Sequence, residues 1–153
     1  MWYTYIMRFG IRAVCHIFIR GVPFVMTLNE TQAQDPFAYL QPHEFLVLTT
    51  YRKDGRAVPT TVWFAYDQGK IYITTGSKAG KIKRVRNNGQ VEMIPSDRTG
   101  NLLGEPPVVG HAREHTPEER THARAVLAQK YGDTFERIAG QDSPDRTYIV
   151  VEP

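Results

Sequence analysis

The chain has a single cysteine, Cys15, so no intrachain disulfide, CxxC pair or cysteine-rich metal site is open to it. That usage fits a reducing compartment, and a cytoplasmic location is expected. Long apolar runs are missing too. Within residues 1–25 the longest uncharged stretches, residues 1–7 and 13–19, fall far short of the roughly 20 residues a membrane-spanning helix needs. Scattered Arg8, Arg12 and Arg20, with no small-residue cleavage site after them, argue against a signal peptide. Neither GxxxxGK[ST] nor GxGxxG occurs, which removes the P-loop and dinucleotide-fold readings. Ser77, Ser96 and Ser143 lack a nucleophile-elbow context, so a hydrolase triad is not expected. The histidines are His16, His43, His111, His115 and His122. Of these, His111 and His115 are four apart but fall on an expected strand, and no metal or haem role is expected.

An excess of positive charge is only nominal. The formal charge is +3, but the first 25 residues hold three arginines and no acid; without them the 19 basic residues become 16, equal to the 16 acidic ones. A neutral remainder lacks the electrostatic footprint of a dedicated nucleic-acid binder. The apolar share of 41% and charged share of 23% are ordinary for a globular domain. Residues 1–25 are expected to be an extra N-terminal arm, disordered or a mis-assigned start, and residues 26–153 one domain.

Along the chain, residues 31–39 suggest a short helix interrupted by Pro42. Residues 45–52 and 57–66 are rich in β-branched and aromatic types around Asp54-Gly55, a strong hairpin signal. Asp67-Gln68-Gly69 turns into residues 70–75, where Ile71 and Ile73 alternate with Tyr72 and Thr74. Residues 81–86 place Ile82 and Val85 on one helical face, with Lys81 and Arg84 beside it. Strands follow at 90–96 and 108–114. Thr116-Pro117-Glu118-Glu119 opens a helix to about Lys130 with Ala123, Val126, Leu127 and Tyr131 as its apolar stripe. Residues 146–151 form a closing strand. The class is β-rich α+β: a six-stranded, mostly antiparallel split β-barrel with about three short helices.

Chemistry concentrates in residues 71–88. Hydroxyls, glycines and cations gather where a strand end leads into a helix start, and unpaired N–H groups with a positive dipole favour an anion there. The same cations also read as the solvated side of a surface helix, and spacing alone does not separate the two. The preceding strand adds Thr60, Thr61 and Trp63, though Trp63 and Phe64 also read as core aromatics.

Four segments, LTTYRKDGRAVPTTVWFAY (48–66), IYITTGSKAGKIKRVRNN (71–88), SDRTGNLLG (96–104) and AQKYG (128–132), occur in the order seen in the pyridoxamine 5'-phosphate oxidase-like split barrels. The chain most resembles the branch of coenzyme F420-dependent oxidoreductases. The resemblance implies a homodimer with the cofactor, coenzyme F420 or FMN, in a groove between subunits. Thr60, Thr61, Val62 and Trp63 would line the ring, and Thr75, Ser77, Lys78 and Lys81, with Arg84 in addition, would hold the phosphate. Lys83 and Arg86 would meet any anionic tail. It also departs from the classical vitamin B6 oxidase: the chain ends Arg146-Thr-Tyr-Ile-Val-Val-Glu-Pro rather than with that enzyme's arginine-leucine-proline signature, and the early second-strand arginine is absent. Where many relatives in the F420 branch carry cysteine, it has Ser96. The expected activity is hydride transfer to or from a small organic substrate, with no nucleic-acid or membrane partner and no assigned catalytic side chain. The alternatives are a non-catalytic flavin or deazaflavin carrier, and a nucleic-acid module stacking bases on Trp63 and Tyr72.

Overall fold

A computed structural model describes residues 35–139 and 143–153, together with the backbone of strands β1 (Ile6–Phe9), β2 (Arg12–Ile19) and β3 (Val22–Leu28). The chain divides into two compact units, Met1–Gln34 and Asp35–Pro153. In the first, β1, β2 and β3 form an antiparallel sheet in that order. Among the described residues no helix is long and apolar enough to cross a membrane.

The second unit is a closed six-stranded barrel with three α-helices, as the alternation of its apolar residues requires. Its strands are β4 (Phe45–Tyr51), β5 (Ala57–Asp67), β6 (Lys70–Gly76), β7 (Gln90–Ser96), β8 (Val108–Glu114) and β9 (Arg146–Glu152). They close in the order β4-β5-β6-β9-β8-β7, every pairing antiparallel. Alternate residues point inward, so Leu46, Leu48, Val62, Phe64, Ile71, Ile73, Met93, Ile149 and Val151 fill the barrel. Ile82 and Val85 of α1 (Gly80–Asn87) and Phe37 and Leu40 join that core.

A second cluster lies outside the barrel. There Ala65, Tyr72, Tyr148 and Val150 meet Ala123 and Leu127 of α2 (Glu119–Tyr131) and Phe135 and Ala139 of α3 (Asp133–Ala139). β9 is therefore covered on both faces, which is why it reads as a near-continuous apolar run. The turn between β5 and β6 has positive φ at Gln68 (48°) and Gly69 (78°) and closes at Asp67↔Lys70. That is the two-residue geometry whose twist matches the strands it joins.

One expected helix is corrected. Within residues 31–39, the described part holds only a 3-10 turn, Ala38–Leu40; residues 31–34 lie outside the described residues. Asp35 Oδ1 accepts the Phe37 N–H (2.9 Å), and such local side-chain bonding competes with helix formation. The third helix is instead α3, which follows α2 directly after Gly132, whose φ of 54° suits glycine at a helix end.

Charged groups tie α2 to the sheet. The Arg113 guanidinium pairs with both oxygens of Glu119 (2.6 and 2.7 Å) and with Glu152 (3.1 Å), which also pairs with Lys70 (2.6 Å). Glu119 reaches back as well to accept the Thr116 N–H (2.9 Å), half of a capping box. Those bonds hold the Glu119 carboxyl down at about 2. A lowered carboxylate pKa stabilises the fold above the ordinary value and loses that contribution as pH falls towards the native one. Acid unfolding is thus expected to steepen between about pH 4.5 and 2, and Glu119→Gln should flatten that limb. An identical acid limb in the variant, followed by circular dichroism, would refute the assignment.

Candidate functional site

The barrel is split between β5 and β6. β5 pairs with β4 from Ala57 to Trp63, then with β6 only over Phe64 to Asp67. β6 runs on as Thr74–Gly76 paired to β9 alone. Beyond the β5–β6 ladder Ala57–Trp63 and Thr74–Gly76 have no register with one another. The expected ring strand and the expected phosphate strand are neighbours in the barrel.

Side-chain directions divide the expected residues. Val62 is buried in the barrel core, and by alternation Thr60 shares its inward face, so both offer the split their backbone rather than their side chains. Thr61 and Trp63 lie on the outer face. A Cβ added at Gly100, in the loop after β7, would stand 2.7 Å from Thr61 Oγ1, and Gly100 has φ +93°. Gly100→Ala should cost about 1–3 kcal/mol from the backbone conformation and the clash together. Adding Thr61→Ala should recover part of this in a double-mutant cycle of denaturant unfolding; full additivity would show that the loop does not rest on β5. The loop itself is closed by Asp97, which accepts from the Thr99 and Asn101 N–H groups (2.8 and 3.0 Å) and their side chains. These bonds bring its pKa to about 2.

At the other edge, Thr75 is buried, Ser77 half-buried and Lys78 exposed. The Ser77 N–H donates to the Asp145 carbonyl (2.8 Å) and the Ala79 N–H to that of Gly76 (3.0 Å), so neither is free for an anion. Helix α1 then opens at Ala79 with no side-chain cap, leaving the Gly80 and Lys81 N–H groups without intrahelical partners. Lys81 is half-buried, and no hydrogen bond or ion pair engages its amine among the described residues. Burial, and then the charge of Arg84, draw its pKa below the ordinary lysine value.

Arg84 turns to a different place. Its Nε donates to Thr50 Oγ1 (2.7 Å), a buried hydroxyl on β4, and its Nη1 lies over Gly80, 3.0 Å from where a Cβ would be. It lines a cavity of about 360 Å³ with Arg52, Lys53 and Lys83, and no acid shares the wall. Arg86 is committed to Glu114 (2.7 Å). The structure thus places Thr60–Trp63 and Thr75–Ser77 on or just after the neighbouring strands β5 and β6, Lys81 in the first turn of α1, and Arg84 and Lys83 in a basic pocket that Gly80 also lines.

Tyr131 does more than the apolar stripe implied. Its hydroxyl accepts the Phe64 N–H (3.1 Å) and lies 2.6 Å from both the Phe64 and Glu44 carbonyls, taking the place of the next β4–β5 ladder bond. Its ring stacks on Trp63 at 4.7 Å and 11°. Burial pushes the phenol well above its usual range. Next to it, Lys130 Nζ donates to the His43 carbonyl and sits 3.9 Å from the centre of the Phe64 ring; burial lowers it to about 8. Tyr72 is buried in the cluster beneath α2, edge-on to His122 at 5.4 Å.

The class these elements define is a small six-stranded antiparallel barrel with an uncapped helix start beside the half-buried amine of Lys81. The chain matches the pyridoxamine 5'-phosphate oxidase family over residues 33–153 and belongs to it. Solved structures share the fold. General stress protein 26 of Bacillus anthracis is 19% identical, with 72% of this chain and 80% of that one covered and a TM-score of 0.55. The haem storage protein HutZ of Vibrio cholerae is 15% identical, with 72% and 82% covered and a TM-score of 0.58. A Listeria innocua protein provisionally assigned as a pyridoxamine 5'-phosphate oxidase is 21% identical, with 73% and 85% covered and a TM-score of 0.52. No curated protein matches the chain.

Proposed function

We propose that the protein is an oxidoreductase that holds FMN or coenzyme F420 in the β5–β6 split and acts on a small organic substrate. The observation that carries this reading is the uncapped start of α1 with a partnerless, half-buried amine on Lys81, reached from β6 where its ladder with β5 has ended. Such a donor set fits a ribityl phosphate: the N–H groups of Gly80 and Lys81 and the Lys81 amine would take the phosphate oxygens, while β5 backbone groups would meet the polar edge of a flat ring. The bound cofactor supplies the hydride chemistry. The chain contributes orientation and exclusion of water, with the backbone of Thr60–Trp63 on the ring side. A homodimer is proposed, with the cofactor at the subunit interface.

Titrating the purified protein with FMN, coenzyme F420 and hemin, each by its absorbance change, tests the reading. Binding of either flavin-type cofactor at micromolar concentration is expected, and turnover with a reductant separates an enzyme from a carrier. Preference for hemin over both would overturn it. Sedimentation at several concentrations tests the dimer.

A further inference from the structure

Away from the split, a groove of about 770 Å³ runs between the outer face of β5, the end of β7 and helices α2 and α3. Its size suits a small organic molecule. Its floor is aromatic: Trp63 is stacked on Tyr131 and meets Phe45 edge-on at 6.2 Å. Its lip is apolar, with Leu103 51% and Ile138 56% exposed, and such side chains gain free energy when a flat molecule covers them.

Two polar features sit in this apolar setting without a use inside the fold. Ser96 lines the groove, is 3% exposed, and its hydroxyl has no hydrogen-bond partner among the described residues. A buried hydroxyl left unpaired costs roughly 1–3 kcal/mol, which a ligand atom can offset. Arg98 is exposed on the same wall, and no hydrogen bond or ion pair engages its guanidinium among the described residues. The two acids nearby do not neutralise it. Asp97 is engaged by Thr99 and Asn101, and the two acids of the lining, Glu44 and Asp97, are outnumbered by its three cations, Arg98, Lys130 and Arg137. One net positive charge remains over an aromatic floor.

We infer that this groove is a binding site for a flat aromatic monoanion, its ring system between Trp63 and the Leu103 lip and its carboxylate on Arg98, with Ser96 as a further hydrogen-bonding group. That this molecule is the enzyme's substrate rests on the oxidoreductase reading; that the groove binds it does not. Trp63 stands on the same strand that borders the split, so the two sites would share one wall.

Calorimetric titration of the cofactor-free protein with 2-naphthoate tests this. A dissociation constant on the order of 10–1000 μM is expected, weakened roughly tenfold or more by Arg98→Gln and less by Ser96→Ala. Neutral 2-naphthalenemethanol and aliphatic cyclohexanecarboxylate should each bind at least several-fold more weakly. Lys81→Ala should leave naphthoate binding unchanged, and so should saturating FMN. Equal binding of the neutral or the aliphatic probe, insensitivity to Arg98→Gln, or displacement by FMN would each overturn the inference. So would conversion of a dimer to monomer by Leu103→Glu, since a second copy would then cover the groove. Loss of cofactor binding with naphthoate binding intact defeats only the oxidoreductase reading, and the reverse result defeats only the groove.

Discussion

Replacing Lys81 with alanine is expected to weaken FMN or coenzyme F420 binding by roughly 1.5–3 kcal/mol, about ten- to hundredfold in Kd. The amine is half-buried with no acid to offset it, and both burial and Arg84 disfavour its charged form. A phosphate at the α1 start would supply the missing anion. Truncation would leave only the Gly80 and Lys81 N–H groups, while Lys81→Arg should retain part of the affinity. The depressed pKa fixes the sign of the pH effect: the amine loses its proton below the usual lysine value, so affinity should fall on the alkaline side earlier than an exposed lysine would cause. The alanine variant should lack that alkaline fall. Affinity measured by absorbance titration against pH checks both points, and an unchanged Kd in Lys81→Ala would remove the residue from the site.

Tyr131→Ala should destabilise the barrel by roughly 3 kcal/mol, the lower end for truncating an aromatic because this ring is partly exposed. Two losses combine: the stack on Trp63 and the hydroxyl that completes hydrogen bonding at Phe64 and Glu44. Tyr131→Phe separates them. It keeps the ring and leaves the Phe64 N–H and two carbonyls unpaired, so about 1–3 kcal/mol is expected from it alone. Urea unfolding of the three proteins gives these values directly. A phenylalanine variant as stable as the parent would show that the hydroxyl adds nothing to the ladder, and the Trp63 side of the groove would then rest on packing alone.

The elements that sequence reading recovered are those whose cause is local. Period-two alternation in Ile71-Tyr72-Ile73-Thr74, the Asp54-Gly55 turn, and the three-residue step from Ile82 to Val85 each carry their geometry within a few residues. Ile82 and Val85 are buried and Lys81 and Arg84 flank them, as that spacing implies. The helix expected at residues 31–39 failed where Asp35 bonds its own neighbourhood. Helix α3 was not expected; its signal was the pair Phe135 and Ala139, four apart and both buried.

The sequence by itself determined the β-rich class and its six barrel strands, because alternation and turn chemistry depend on neighbours along the chain. Only the tertiary structure decided that β5 leaves β6 after Phe64, that Thr60 and Val62 face inward, and that Arg84 belongs to a pocket with Arg52 and Lys53. It alone joined Trp63, Ser96, Arg98 and Tyr131 around one groove. Each of those facts is a pairing between residues far apart in the chain, set by register and by how a closed barrel turns its faces, and no local pattern encodes it.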